Sequence, residues 1–137
     1  MASLTTDRNT PERSGGFHCL SRALAPSTTV FAGSMAAQNA AGLAVPASAS
    51  TTLTVLGRAA YRASSLAGSG DPDFVRIDRG VFRFANSAGG DAIGIADYGK
   101  PCYAVDDQTV AKTDGSGARP QAGIIRDVDA QGVWVEF

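Results

Sequence analysis

Hydrophobic and polar positions alternate in short runs along much of this chain. Phe74-Val75-Arg76-Ile77-Asp78 alternates, and so does Val81-Phe82-Arg83-Phe84-Ala85, with Phe82 and Phe84 on one side and Arg83 on the other. A two-residue period puts one face on a core and the other in water, which is the pattern of antiparallel sheet. Residues 28–31, 34–37 and 43–46 read as short β-prone pieces, broken by Gly33, Gly42 and Pro46. Residues 51–62 form the longest periodic segment, with Thr52, Thr54 and Leu56 on one side and Leu53, Val55 and Gly57 on the other. Residues 64–73 and 86–91 read as loops. Residues 93–98 suit a single helical turn with Gly99 past its end. Two hairpins follow. One turns at Asp106-Asp107-Gln108, between residues 101–105 and 109–111. The other turns at 129–132, between residues 122–128 and 133–137, with Gly132 in a left-handed position. The sum is an all-β chain of about eight to ten short antiparallel strands, predicting a small β-sandwich or open β-barrel. No repeat of fixed period is visible.

Residues 1–22 show no clean period. They read as an extended N-terminal arm, polar through residue 16, with Phe17 able to anchor it to a domain spanning residues 23–137. At the other end the chain finishes Val133-Trp134-Val135-Glu136-Phe137, too apolar to be left as an open edge. Arg8, Arg13, Phe17 and Arg22 from the arm, with Trp134 and Phe137, are therefore the candidate contacts for assembly.

Composition sharpens this. Alanine, glycine, serine and threonine account for 62 of the 137 residues. Few large side chains are left to build a core, and each stabilises the fold by about 1.5–3 kcal/mol when fully buried. A lone copy is expected to be marginally stable and to gain from any partner that binds only the folded state. The net charge of −1 argues against direct nucleic-acid binding. The charge is divided, however. Residues 1–70 carry five Arg against one Asp and one Glu, net +3. Residues 71–137 carry five Arg and two Lys against ten Asp and one Glu, net −4. Such a split suits head-to-tail contact between copies. Ten of the twelve basic residues are arginine, the better partner for bidentate pairs at interfaces.

Catalytic and metal-binding patterns are not found. His18 is the sole histidine and has no companion ligand set. Cys19 and Cys102 fit no metal or redox spacing and read as reduced thiols. Asp71, Asp73 and Asp78 lack EF-hand spacing, and turn chemistry accounts for them and for Asp106-Asp107. There is no nucleophile elbow and no phosphate loop. The expectation is a non-enzymatic protein without metal or cofactor. No signal peptide or membrane span is expected, since the Ala-rich stretch at 35–50 is broken by Gln38, Asn39, Gly42 and Pro46.

Several runs resemble a known family. They are Arg79-Gly80-Val81-Phe82-Arg83-Phe84-Ala85-Asn86-Ser87, then Gly99-Lys100-Pro101-Cys102-Tyr103-Ala104-Val105-Asp106-Asp107-Gln108-Thr109-Val110-Ala111, then Ala122-Gly123-Ile124, Val128-Asp129-Ala130 and Gly132-Val133-Trp134-Val135. Together they resemble the capsid cement, or head decoration, proteins of tailed phages, nearest to those of Mu-like phages and prophages. The likeness covers roughly residues 28–137. It implies a protein made in the host cytoplasm that binds the outside of a shell of HK97-fold major capsid protein, as homotrimers at three-fold and quasi-three-fold sites, and reinforces it against packaged DNA. It implies Gly80, Gly99, Gly123 and Gly132 as turns, and Phe82, Tyr103 and Trp134 as packing residues. The alternative expectation is a head fibre or a receptor- or glycan-binding module on the same shell. It is disfavoured by aromatics that look committed to strands.

Overall fold

The computed structural model describes Thr6, Arg8, Asn9 and residues 18–137. The described chain is all-β, in twelve strands: β1 (Cys19–Ala23), β2 (Thr29–Val30), β3 (Met35–Gln38), β4 (Ala44–Pro46), β5 (Thr54–Ala59), β6 (Ala63–Ser64), β7 (Phe74–Asp78), β8 (Val81–Asn86), β9 (Pro101–Ala104), β10 (Thr109–Ala111), β11 (Gln121–Asp129) and β12 (Gly132–Glu136). Two single 3-10 turns, Gly89–Asp91 and Ile95–Asp97, interrupt the path from β8 to β9. The all-β expectation holds, but the strands form two five-stranded units rather than one.

The first unit is a sheet in the order β1-β7-β5-β3-β4, with every neighbour antiparallel. Its two edges meet in one parallel bridge, Leu24 to Ala44, where the Ala25 N–H donates to the Ala44 carbonyl at 3.0 Å. The second unit is a closed barrel, β8-β12-β11-β9-β10, sealed by the parallel pair β10/β8. Numbering the five strands of each unit in chain order gives one circuit for both, 1-5-4-2-3 and back to 1, with the lone parallel seam between first and third. The antiparallel pair β2/β6 lies outside this circuit and supplies Val30 and Ala63 to the first core.

The correspondence extends to register. Gly57 of β5 faces Ala36, Gly123 of β11 faces Cys102, and in each case the next pairing skips one residue, Leu56 or Ala122. That is the same β-bulge at the same place. Both glycines lie under the last carbonyl of the neighbouring strand. A Cβ on Gly57 would fall 2.3 Å from the Asp78 oxygen, and one on Gly123 2.3 Å from the Glu136 oxygen. Gly33 and Gly99 share a left-handed φ, 82° and 80°, and donate to Ala59 and Ile125 at 2.9 and 2.8 Å. The chain thus repeats one strand topology, a structural repeat that no sequence period discloses. Across the matched windows 33–59 and 99–125, Gly33/Gly99, Ser50/Ser116 and Gly57/Gly123 are the identical pairs. Two glycine expectations change accordingly. Gly123 sits mid-strand rather than in a turn, and Gly132 begins β12 where a Cβ would meet the Phe84 oxygen at 2.3 Å. Both are glycine because another backbone passes too close for a side chain.

Each unit has its own core. Leu20, Leu24, Val30, Ala36, Leu56, Val75 and Ile77 fill the first. Phe84, Cys102, Val110, Ile125, Val133 and Val135 lie in the second, and the first unit's wall residues Met35, Ala37 and Val55 join that same cluster. Further contacts cross the junction: the Met35 N–H donates to Asp107 O at 2.7 Å, and the Arg58 guanidinium lies 4.2 Å over the Phe82 ring. Arg79-Gly80 is all that separates β7 from β8, so the two units hold a fixed relation.

The ordered sheet begins at Cys19, inside the segment read as an arm. The sequence conceals β1 because Arg22 takes an inward position on it, where the second unit has Phe84. Residues 1–5, 7 and 10–17, including Arg13 and Phe17, lie outside the described residues.

Candidate interaction surfaces

Of the sequence-chosen contacts, Arg8, Arg22, Trp134 and Phe137 fall among the described residues. Arg8 is exposed. Arg22 is half-buried on β1, its Nε donating to the Gln38 side-chain oxygen at 2.9 Å. Trp134 lies half-buried on the outer face of β12, where its indole N–H donates to Asp129 Oδ2 at 2.9 Å and Arg83 lies 5.6 Å over the ring. Phe137 packs against Phe82 and Phe84 with ring centroids 6.4 and 5.8 Å away, and its N–H donates to Gly80 O at 2.9 Å. It therefore closes the second barrel rather than reaching outward.

Large apolar side chains emerge elsewhere, on two separate surfaces. The first flanks the N-terminal unit. Phe31 is 54% exposed and Phe74 51%. Arg62 lies 5.2 Å over the Phe31 ring and pairs with Asp71 at 2.9 Å, and Tyr61 meets Phe74 edge-on at 6.5 Å. The signal for Phe74 was present in the alternation: with Val75 and Ile77 inward, Phe74 must point out.

The second surface is the outer wall of the C-terminal barrel. Val81, Glu136, Ile124 and Pro101 form one outward row across β8, β12, β11 and β9. Val81 is 45% exposed. Arg126 pairs with Glu136 beside this row and lies 5.8 Å over the ring of Tyr98. Tyr98 and Ile95, on the 3-10 turn, are 65% and 77% exposed. The turn that presents them is pinned by Asp97, which is buried. Asp97 accepts the Gly94 N–H at 2.9 Å and pairs with Lys100 at 3.1 Å and Lys112 at 3.7 Å. The Gly94 N–H, and then the lysines, hold its carboxyl below the ordinary value of 3.8. Asp91 is lowered likewise, first by the Thr113 hydroxyl and then by Arg119, and so ties down the neighbouring loop.

Among the described residues no group of three or more His, Cys, Asp or Glu is placed to hold a metal ion. One open hollow lies in the Ser64–Asp73 loop and another between Phe31–Ser34 and Asp107-Gln108, and both are lined chiefly by small and polar side chains. Burial pushes the Cys102 thiol up to about 11, while Cys19 is exposed. No helix among the described residues is long and apolar enough to cross a membrane. Comparison with protein-family models, curated proteins and solved structures finds no match for this chain.

Proposed function

We propose that this chain is a capsid decoration protein that binds the outer surface of an HK97-fold phage head and strengthens it against internal DNA pressure. Its partners are the major capsid protein and two further copies of itself, at three-fold and quasi-three-fold sites. The reaction class is binding, with no bond made or broken. The sequence resemblance quoted above motivates this function. The structural observation that supports it is the pair of separated apolar surfaces on two rigidly joined units. Exposed large apolar side chains beside arginine–carboxylate pairs, as on both surfaces, are groups that interfaces use. Two such surfaces on one rigid body let a small protein bridge neighbours, and multivalency raises the effective concentration of each successive contact. Modest individual contacts then suffice to make separation of adjacent capsid subunits costly.

The test is sedimentation of the purified chain with undecorated heads of the phage that carries its gene. Saturable binding is expected, together with heads that release DNA at a higher temperature than bare ones. Phe31→Ser/Phe74→Ser is expected to weaken binding at least tenfold while leaving the fold intact. Removing residues 2–16 is expected to leave the two units folded and reduce retention on heads. Chain that stays in the supernatant at micromolar concentration would rule this function out.

One observation favours a second function. Phe31, Phe74 and Tyr98 are exposed, although Phe74 lies on a strand as the sequence led one to expect, and exposed rings are what a glycan-binding module on the shell would use. Strong, selective signals on a glycan array, lost in the Phe74 or Tyr98 variants, would favour it over reinforcement.

A further inference from the structure

The repeated topology makes one face of the molecule conspicuous. In the first unit the wall formed by Met35, Ala37 and Val55 is covered by the second unit, with Arg58, its side chain 40% exposed, at its margin. Met35 and Ala37 are wholly buried in a cluster shared with the second barrel, and Arg58 stacks on Phe82. The registers assign each of these an equivalent. Met35 pairs with Arg58 as Pro101 pairs with Ile124, and Ala37 pairs with Val55 as Tyr103 pairs with Gln121. In the second unit no element among the described residues covers this wall: Gln121 is exposed and Pro101, Tyr103 and Ile124 are half-exposed. It continues into the apolar row at Val81 and the Ile95/Tyr98 turn.

We propose that this open wall is a self-association face, occupied by the first unit of a second copy of the chain. Its counterpart in the same molecule already demonstrates the kind of partner such a wall takes, namely another barrel of the same topology. Charge selects which one. Residues 18–79 carry five Arg against three Asp, net +2, and residues 80–137 carry three Arg and two Lys against seven Asp and one Glu, net −3. Two second units facing each other would repel, whereas a second unit facing a first unit is attracted. The contact is therefore heterologous, joining different surfaces of the two copies. Such contacts propagate, closing into a ring when the rotation allows. This takes up the self-association in the function proposed above, assigns it a face, and is tested without heads, so that failure to bind a shell and failure to self-associate are distinguished.

The experiment is sedimentation velocity of the full-length chain alone across a hundredfold concentration range. The expected result is a complex of three or more copies that weakens as salt is raised. Ile124→Arg is expected to shift the chain to monomer, with at least a tenfold weaker association. Arginine at that register is compatible with the fold, since Arg58 occupies it in the first unit and pairs with Asp78 at 3.0 Å. Ile95→Ser/Tyr98→Ser alters the margin of the same wall from a surface turn and is the second variant, expected to weaken association should Ile124→Arg fail to fold. A wild-type monomer at every concentration, a closed dimer, or association unchanged in the wall variants would overturn the proposal.

Discussion

Gly57 and Gly123 illustrate what a single residue decides in this molecule. Each has room for a hydrogen but none for a methyl group, because a carbonyl oxygen of the next strand lies 2.3 Å from where the Cβ would be. Gly57→Ala or Gly123→Ala must push two paired strands apart, and overpacking of this kind typically costs about 1–3 kcal/mol. Urea unfolding should show a loss at the upper end of that range for either variant. The two thiols give a second residue-scale outcome. Cys19 is exposed, whereas Cys102 is fully buried with its thiol raised to about 11, so little thiolate is present near neutral pH. A thiol reagent should modify one site per native chain and two in denaturant. Asp91, Asp97 and Asp129 all have lowered folded pKa values, Asp129 chiefly through the Trp134 indole N–H. Their contribution is complete above the unfolded carboxylate range near 3.9 and is lost as pH falls through the lower folded values. Thermal midpoints measured from pH 6 down to 2 should fall below about pH 4, and Asp97→Asn should be less stable at neutral pH with a shallower acid decline.

At the scale of elements, legibility followed sequence distance. The hairpins β9/β10 and β11/β12, with neighbouring partners and turn residues between, were readable from alternation and turn chemistry. β1 pairs with β7 and β2 with β6, so their stability comes from partners remote in the chain, and locally they carry little pattern. β5 was read as strictly alternating. The bulge at Leu56 instead buries Val55, Leu56 and Gly57 in succession, a run that only the tertiary pairing explains. The candidate contacts fared unevenly for a similar reason. Trp134 was correctly placed on a strand, yet Phe137 is taken up by barrel closure, and the exposed Ile95 and Tyr98 were hidden in what read as a single helical turn. Among these elements the Ile95–Asp97 turn depends most on one group. Replacing Asp97 removes its acceptor for Gly94 and both lysines, so amide exchange in Asp97→Asn should quicken around residues 94–100 and leave β5 and β7 unchanged.

The molecule as a whole is two units of one topology, and that could not be read from the chain because the two share little beyond two glycine positions and one serine. What the fold requires of those positions is space and a left-handed φ, whereas the inward positions accept any apolar side chain of suitable volume. Ala36 and Cys102, or Leu56 and Ala122, do equivalent work with no identity. The units are energetically coupled where Met35, Ala37 and Val55 enter the second barrel's cluster. Met35→Ala should therefore destabilise by about 2–5 kcal/mol and lower exchange protection in β11 and β12 as well as in β3.

The claim on which the rest depends is that these surfaces serve assembly on a shell. It is tested most directly by a three-dimensional image of heads saturated with the chain. Density for three copies is expected over three-fold and quasi-three-fold positions on the outside, with first and second units of neighbouring copies in contact. A saturated preparation whose shells are bare, or one in which the chain lies inside the head or on the tail, would contradict it.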